Sequence, residues 1–365
     1  MNRLLLLLLF LLATPVAFAQ NAQPYLAGQR QPTTITFMPT YQQFDHFGDR
    51  GGHITEFSLP LFAYLPLRRN VGVSLQLSQA SVTADKAPSL DGLTDVQLAA
   101  SYSTSVGVGS VVIGLGLNLP SGAQKFKLDE LDTAFLLSQN VYRFRVPSFG
   151  RGWGLAPSVT WAQSLSASFV IGLGATYQYR GPYYPLADML DAYDPGDEIL
   201  LTGGFDARLA PSTTLAADVA IIVYGSDAVG DENILEAGTR TVVTAQLRRR
   251  GAQGEMGFLV QYRTSGKNSV FEGGSLVTEA EQTTPTQVGI RGHARRLMHS
   301  YADVGIVGVI RIFEGTSAIP NTTLFGMGVT PTVILSPRVH IPVLFTYYFG
   351  DLAGLEASAG LELRL

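Results

Sequence analysis

Without a single cysteine in 365 residues, the chain excludes disulfides, thiolate metal ligands, a cysteine nucleophile and lipoprotein modification together. A net charge of −4 is mildly acidic, and nothing in its distribution suggests nucleic acid. The length allows two soluble domains, yet no Pro/Ser-rich linker or composition shift divides the chain.

Residues 1–19 read as an export signal. Arg3 supplies the positive start, Leu4 to Leu12 the short apolar run, and Ala17-Phe18-Ala19 the small-residue cleavage site before Gln20. That run is too short to cross a bilayer as a helix, and no later stretch approaches the roughly twenty apolar residues a membrane helix needs. Residues 20–32 are then a short periplasmic segment, and 33–365 one continuous patterned region.

The pattern is strict alternation. In the last segment the odd positions Leu355, Ala357, Ala359, Leu361, Leu363 and Leu365 are apolar, and the even positions Glu356, Ser358, Gly360, Glu362 and Arg364 are small, polar or charged. Strand side chains alternate faces, so one face is greasy and the other wet. Similar segments occupy 33–44, 53–65, 70–81, 93–105, 108–119, 152–163, 168–179, 197–210, 213–224, 237–250, 253–265, 284–296, 300–313, 323–335, 338–350 and 353–365. The connections alternate between short turns and mostly longer loops, at 82–92, 120–151, 180–196, 225–236, 266–283 and 314–322. An even strand count with short turns at one end and long loops at the other predicts an all-β, transmembrane antiparallel β-barrel of the cell outer membrane. The count is about sixteen strands, or fourteen if 33–44 or another weak segment is misread.

Aromatic residues fall near the strand ends. Tyr41, Tyr177, Tyr179, Tyr224, Tyr262, Phe313, Phe325, Tyr347 and Phe349 belong to the outer girdle. Tyr64, Tyr102, Trp161 and Tyr301 belong to the periplasmic one.

One segment breaks the period. In 128–140, Leu128, Leu131, Phe135 and Leu136 recur at helical spacing behind the acidic Asp129, Glu130 and Asp132. This short helix lies in the third outer loop. Three readings stay open: a constriction folded into the lumen, a surface helix capping the barrel rim, and a run that is really an extra strand.

Residue parity turns a charged set inward. Arg240, Arg248, Arg263, Arg291, Arg295 and Arg311 come from four consecutive strands that carry only Glu255 and Asp303 as acids. Either this wall filters ions and favours anions, or the charges brace the wall as cross-strand pairs. No compact histidine-containing nucleophile or base motif appears, and no cluster has metal-ligand spacing, so no catalytic residue, metal or cofactor is expected.

Residues 91–122 resemble the hairpin of outer-membrane proteins assigned to the meta-pathway of phenol degradation. The resemblance is carried by Gly92, Leu93, Asp95, Tyr102, Gly114, Gly116, Leu119, Pro120 and Gly122, and by a second motif in 194–209, DPGDEILLTGGFDARL. It implies a distant relation to the fatty-acid and toluene outer-membrane transporters and uptake of small hydrophobic or aromatic compounds. The few residues before the first strand leave no room for the hatch plug of those transporters.

The expected function is passive passage of small molecules across the outer membrane. The partners are then membrane lipid, the solute, and the barrel-assembly machinery through the C-terminal strand. A non-transporting barrel that anchors a secretion or surface complex is the alternative, and an outer-membrane hydrolase the third reading.

Overall fold

Alternation at this length leaves every strand with one face that water rejects, and closing the sheet on itself satisfies both faces and removes the edges. The computed structural model describes residues 32–45, 52–85, 87–123, 125–316 and 320–365. The expected export signal at 1–19 and nearly all of the expected segment 20–32 lie outside the described residues.

Sixteen strands form one antiparallel barrel. The first quarter is β1 (Thr34–Phe37 and Thr40–Asp45), β2 (His53–Arg68), β3 (Val71–Ala84) and β4 (Ala87–Leu93 and Val96–Val106). Then come β5 (Gly109–Leu119), β6 (Gly154–Ser166), β7 (Phe169–Arg180) and β8 (Glu198–Ala210). The second half begins with β9 (Thr213–Tyr224), β10 (Arg240–Gly251), β11 (Gly254–Ser265) and β12 (Gln287–His299). It ends with β13 (Ala302–Phe313), β14 (Thr322–Val329 and Thr332–Ser336), β15 (Val339–Gly350) and β16 (Gly354–Ala359 and Leu361–Arg364). Each strand pairs with its sequence neighbours, and β1 closes the cylinder on β16 through Thr34↔Arg364 and Tyr41↔Ala357. Two of the split strands break beside a proline, at Met38-Pro39 and Thr330-Pro331, where the ladder loses an N–H.

The outer face is apolar and exposed, with Ile113, Val159, Leu173, Leu201, Val243, Phe258, Ile306 and Phe345 among its members. A surface of that kind needs lipid around it. Its parity is testable on β10. We expect Val243→Arg, on the lipid face, to destabilise the barrel by about 2–4 kcal/mol, and the adjacent Thr244→Arg, facing inward, to cost far less. Urea refolding in micelles measures both, and equal effects would reverse the assignment of faces.

Three differences from the sequence reading concern strand ends. The expected loop 82–92 is a hairpin extension, because β3 runs on to Ala84 and pairs with Ala87–Leu93 of β4. Tyr224 and Phe313 leave the outer girdle and turn inward. Tyr224 lies under the Arg240 guanidinium, and Phe313 is buried in an apolar cluster. Tyr64 also turns inward, against Gly72. Beyond the barrel, three long loops join in a small antiparallel sheet of Tyr193–Asp194, Ser226–Val229, Glu232–Glu236, Ser269–Glu272 and Ser275–Thr278.

Candidate functional site

A barrel this wide should hold water, with its inward side chains wet. Here many are dry. Thr40, Gln42, Glu56, Ser58, Ser78, Thr346, Glu356 and Ser358 are all buried on the inner wall. The third outer loop, residues 120–153, turns back into the lumen and bonds Gln42, Glu56 and Glu356 among them.

The base of this loop is set by one carboxylate. Asp95 sits buried at the break in β4 and accepts hydrogen bonds from Gly122 N at 2.9 Å, Arg151 N at 2.6 Å and Asn118 Nδ2 at 2.7 Å. It therefore holds the departing and the returning chain together, and Gly150 N donates to Ala123 O at 2.7 Å one step further in. Gly122 has no room for a side chain, since a Cβ would come within 2.8 Å of Asp95 N and Leu93 O. Asp95 and Gly122 both belong to the hairpin pattern noted in the sequence, so in this chain that pattern ties a loop. Replacing Asp95 with Ala leaves the part-buried Gly122 and Arg151 amides without their acceptor, at about 1–3 kcal/mol each if neither finds water. We expect Asp95→Ala to make Lys125, Lys127, Arg143 and Arg145 quickly cleavable by trypsin while the barrel stays folded. Cleavage as slow as in the unaltered chain would show that the base is held some other way.

Past the base, helix α1 (Leu131–Ser138) docks on the β3–β4 extension, where Thr133 Oγ1 donates to Pro88 O at 2.6 Å. Its buried face is Leu131, Thr133, Ala134, Leu137 and Ser138. The expected face is only partly right. Leu128 precedes the helix and is half exposed, Leu136 and Phe135 are partly buried, and Leu137 is the fully buried leucine.

The segment that crosses the lumen is the extended stretch after the helix. In 142–146, Tyr142, Phe144 and Val146 are buried and Arg143 and Arg145 alternate with them. This strand-like rhythm, YRFRV, is the signal that sequence reasoning passed over. The buried members join Phe44 of β1, Ile54 of β2, Val82 of β3, Leu90 of β4, Phe313 of β13, Leu324 of β14 and Tyr348 of β15 in one apolar cluster. Those strands, with β16 between them, make up about half of the barrel wall, and the cluster fills the outer lumen beside them.

Below the cluster a polar ring grips the loop backbone. Glu56 accepts from Val146 N at 3.1 Å, and Gln42 accepts from Arg145 N at 2.9 Å and donates to Arg143 O at 3.3 Å. On the other side Arg311 donates to Val141 O and Tyr142 O, at 3.2 and 3.3 Å, and Arg263 donates to Asn140 Oδ1 at 3.2 Å. Arg145 pairs with Glu356 at 2.5 Å, and the Tyr348 hydroxyl donates to the same carboxylate at 3.0 Å.

Beneath this ring lies a cavity of about 280 Å³, lined in part by Gln246, Glu255, Arg291, His293, Arg295 and Val307. The expected arginine wall is thus divided in role. Arg263 and Arg311 hold the loop. Arg240 is buried against Tyr224 and Ser265. Arg295 makes a two-pronged bond to Asp303 at 2.5 and 2.6 Å, and Glu255 bonds Arg250 at 2.9 Å and lies 3.5 Å from His293. Arg291 remains exposed to the cavity, with Arg248 half-buried nearby on β10.

No family model and no curated protein matches this sequence. Several solved outer-membrane barrels resemble its shape. An outer-membrane channel of Pseudomonas putida is 9% identical over 93% of this chain and 100% of its own, with a TM-score of 0.43. OprB of Pseudomonas putida is 8% identical over 91% of this chain and 94% of its own, at 0.48. A bacterial polysaccharide outer-membrane secretin is 8% identical over 92% of this chain and 100% of its own, at 0.47.

Proposed function

We propose that this protein is an outer-membrane channel for passive passage of small solutes, held shut by its third outer loop. The observation that carries the reading is the way the loop is held. Its crossing segment is held to the wall by apolar packing, hydrogen bonds and one ion pair, with no covalent tie. A purely structural filling needs no polar cavity beneath it, whereas a gate does. Selectivity in a passive pore comes from lumen shape and charge.

The outer half, lined by Phe44, Phe313 and Tyr348 with Tyr142 and Phe144 of the loop, offers an aromatic path once the segment shifts. That favours the small hydrophobic or aromatic compounds which the resemblance in 91–122 implies. The anchoring and hydrolase readings gain no specific observation. Solute-driven swelling of liposomes holding the full chain tests the proposal. We expect swelling with small aromatic solutes that exceeds protein-free liposomes, and none with large oligosaccharides. Equal swelling with and without protein for every solute would leave an anchoring barrel.

A further inference from the structure

Gly289 leaves a gap in the inner wall of β12, and positive groups converge on it. Across the ladder it faces Arg311 of β13 on one side and Gln261 of β11 on the other. Arg263 stands opposite Gln287, two residues before the gap, and Arg291 follows two residues after it, all with the same parity. The loop supplies the roof. Arg143 Nη2 reaches to 3.5 Å from Gln261 Oε1 and would touch a Cβ at Gly289 at the same distance.

This cluster lacks counter-charge. The strongest charges acting on Arg143 are those of Arg311, Arg263 and Arg291, of the same sign as its own. Glu356, which also acts on Arg311, is already engaged by Arg145 and Tyr348. Buried donors are left over as well. Arg263 Nε, Arg311 Nε and Gln287 Nε2 have no partner among the described residues. Arg143 is also the one non-glycine among them with a positive φ, 55°, a strained conformation that persists only where its surroundings impose it.

We propose that Arg143, Arg263, Gln287, Arg291 and Arg311 form a binding site for a small oxyanion, seated over Gly289 beneath the third outer loop. Guanidinium groups present paired donors that match two oxygens of one carboxylate or phosphate group, a geometry a spherical halide does not use. Low-dielectric walls strengthen the attraction. The bound anion offsets repulsion between loop and wall, so it ties the loop to β11, β12 and β13.

Isothermal titration of the refolded full chain in micelles tests this, with sodium acetate and sodium phosphate as probes and sodium chloride at matched ionic strength as reference. We expect saturable binding of at least one oxyanion that chloride does not reproduce, tighter for acetate if the site takes carboxylates and for phosphate if it takes phosphoryl groups. Arg143→Gly relieves the positive φ while removing the guanidinium, so its loop should remain in place. It and Arg291→Gln should each weaken binding about tenfold, whereas Arg208→Gln, an exposed arginine on β8, should not. Absence of binding beyond chloride, full binding in both variants, or an equal loss in Arg208→Gln would overturn the site. A barrel that never conducts would still bind the anion, so this titration and the swelling experiment fail independently.

Discussion

Replacing residues 124–149 with a short glycine–serine turn should convert a closed barrel into a steadily conducting one. The design is set by the loop base. Ala123 and Gly150 are already hydrogen-bonded, and Asp95 clamps Gly122 and Arg151 on either side, so the turn joins two ends that are in place. What is lost is helix α1, the crossing segment and its share of the apolar cluster. The barrel ladder itself is untouched, because every strand pairing closes without the loop. Water then enters the outer lumen and joins the cavity below. We expect the shortened protein in planar bilayers to show long, large openings where the full chain shows brief or rare ones. Matching conductance in the two proteins would mean that the current passes around the loop.

Charge selectivity of that shortened pore is the second large effect. With the loop gone, Arg263 and Arg311 lose their carbonyl and amide partners and join Arg248 and Arg291 as open lumen charges on β10 to β13. Arg295 stays neutralised by Asp303, and Glu255 by Arg250. Across the barrel, Glu56 and Glu356 are freed in the same step, so positive and negative walls face one another. Four cations against these two anions, in a lumen with low-dielectric walls, give a modest preference for anions. Reversal potentials in a salt gradient read it directly. Arg248→Ala with Arg291→Ala should move the potential toward the cation side, and high salt should shrink the shift. Cation preference in the shortened parent would mean that the acidic groups, Glu56 and Glu356 together with Asp206 and Asp218 on β8 and β9, dominate.

Most of the barrel was readable because lipid enforces its outer face. A strand residue against hydrocarbon has few alternatives, so Leu201, Val243 and Ile306 keep their parity without exception. The inner face is constrained only where water fills the lumen. At the outer end a loop replaces the water, and there apolar residues also point inward. Tyr224 and Phe313 were misplaced for that reason, since an aromatic ring at a strand end looks the same whether lipid or a buried loop receives it. The helix was visible by its spacing, but its packed face contains Thr133 and Ser138, polar residues that carry no apolar signal. The arginine wall was found as a set of residues. Its division into loop holders, braced pairs and open charges depends on where 139–149 lies, and parity holds no information about that.

The third outer loop shuts the lumen from the outer side in this proposal, and one thiol measures it. The chain has no cysteine, so Ser358→Cys is a near-isosteric, unique label site. Ser358 faces inward on β16 beside Thr40 of β1, with Ser58 beyond it on β2, and all three are buried. A bulky membrane-impermeant maleimide applied from the outer side should label it very slowly in the full chain. In the shortened chain labelling should be fast. Fast labelling in both proteins would show that the loop leaves the lumen open.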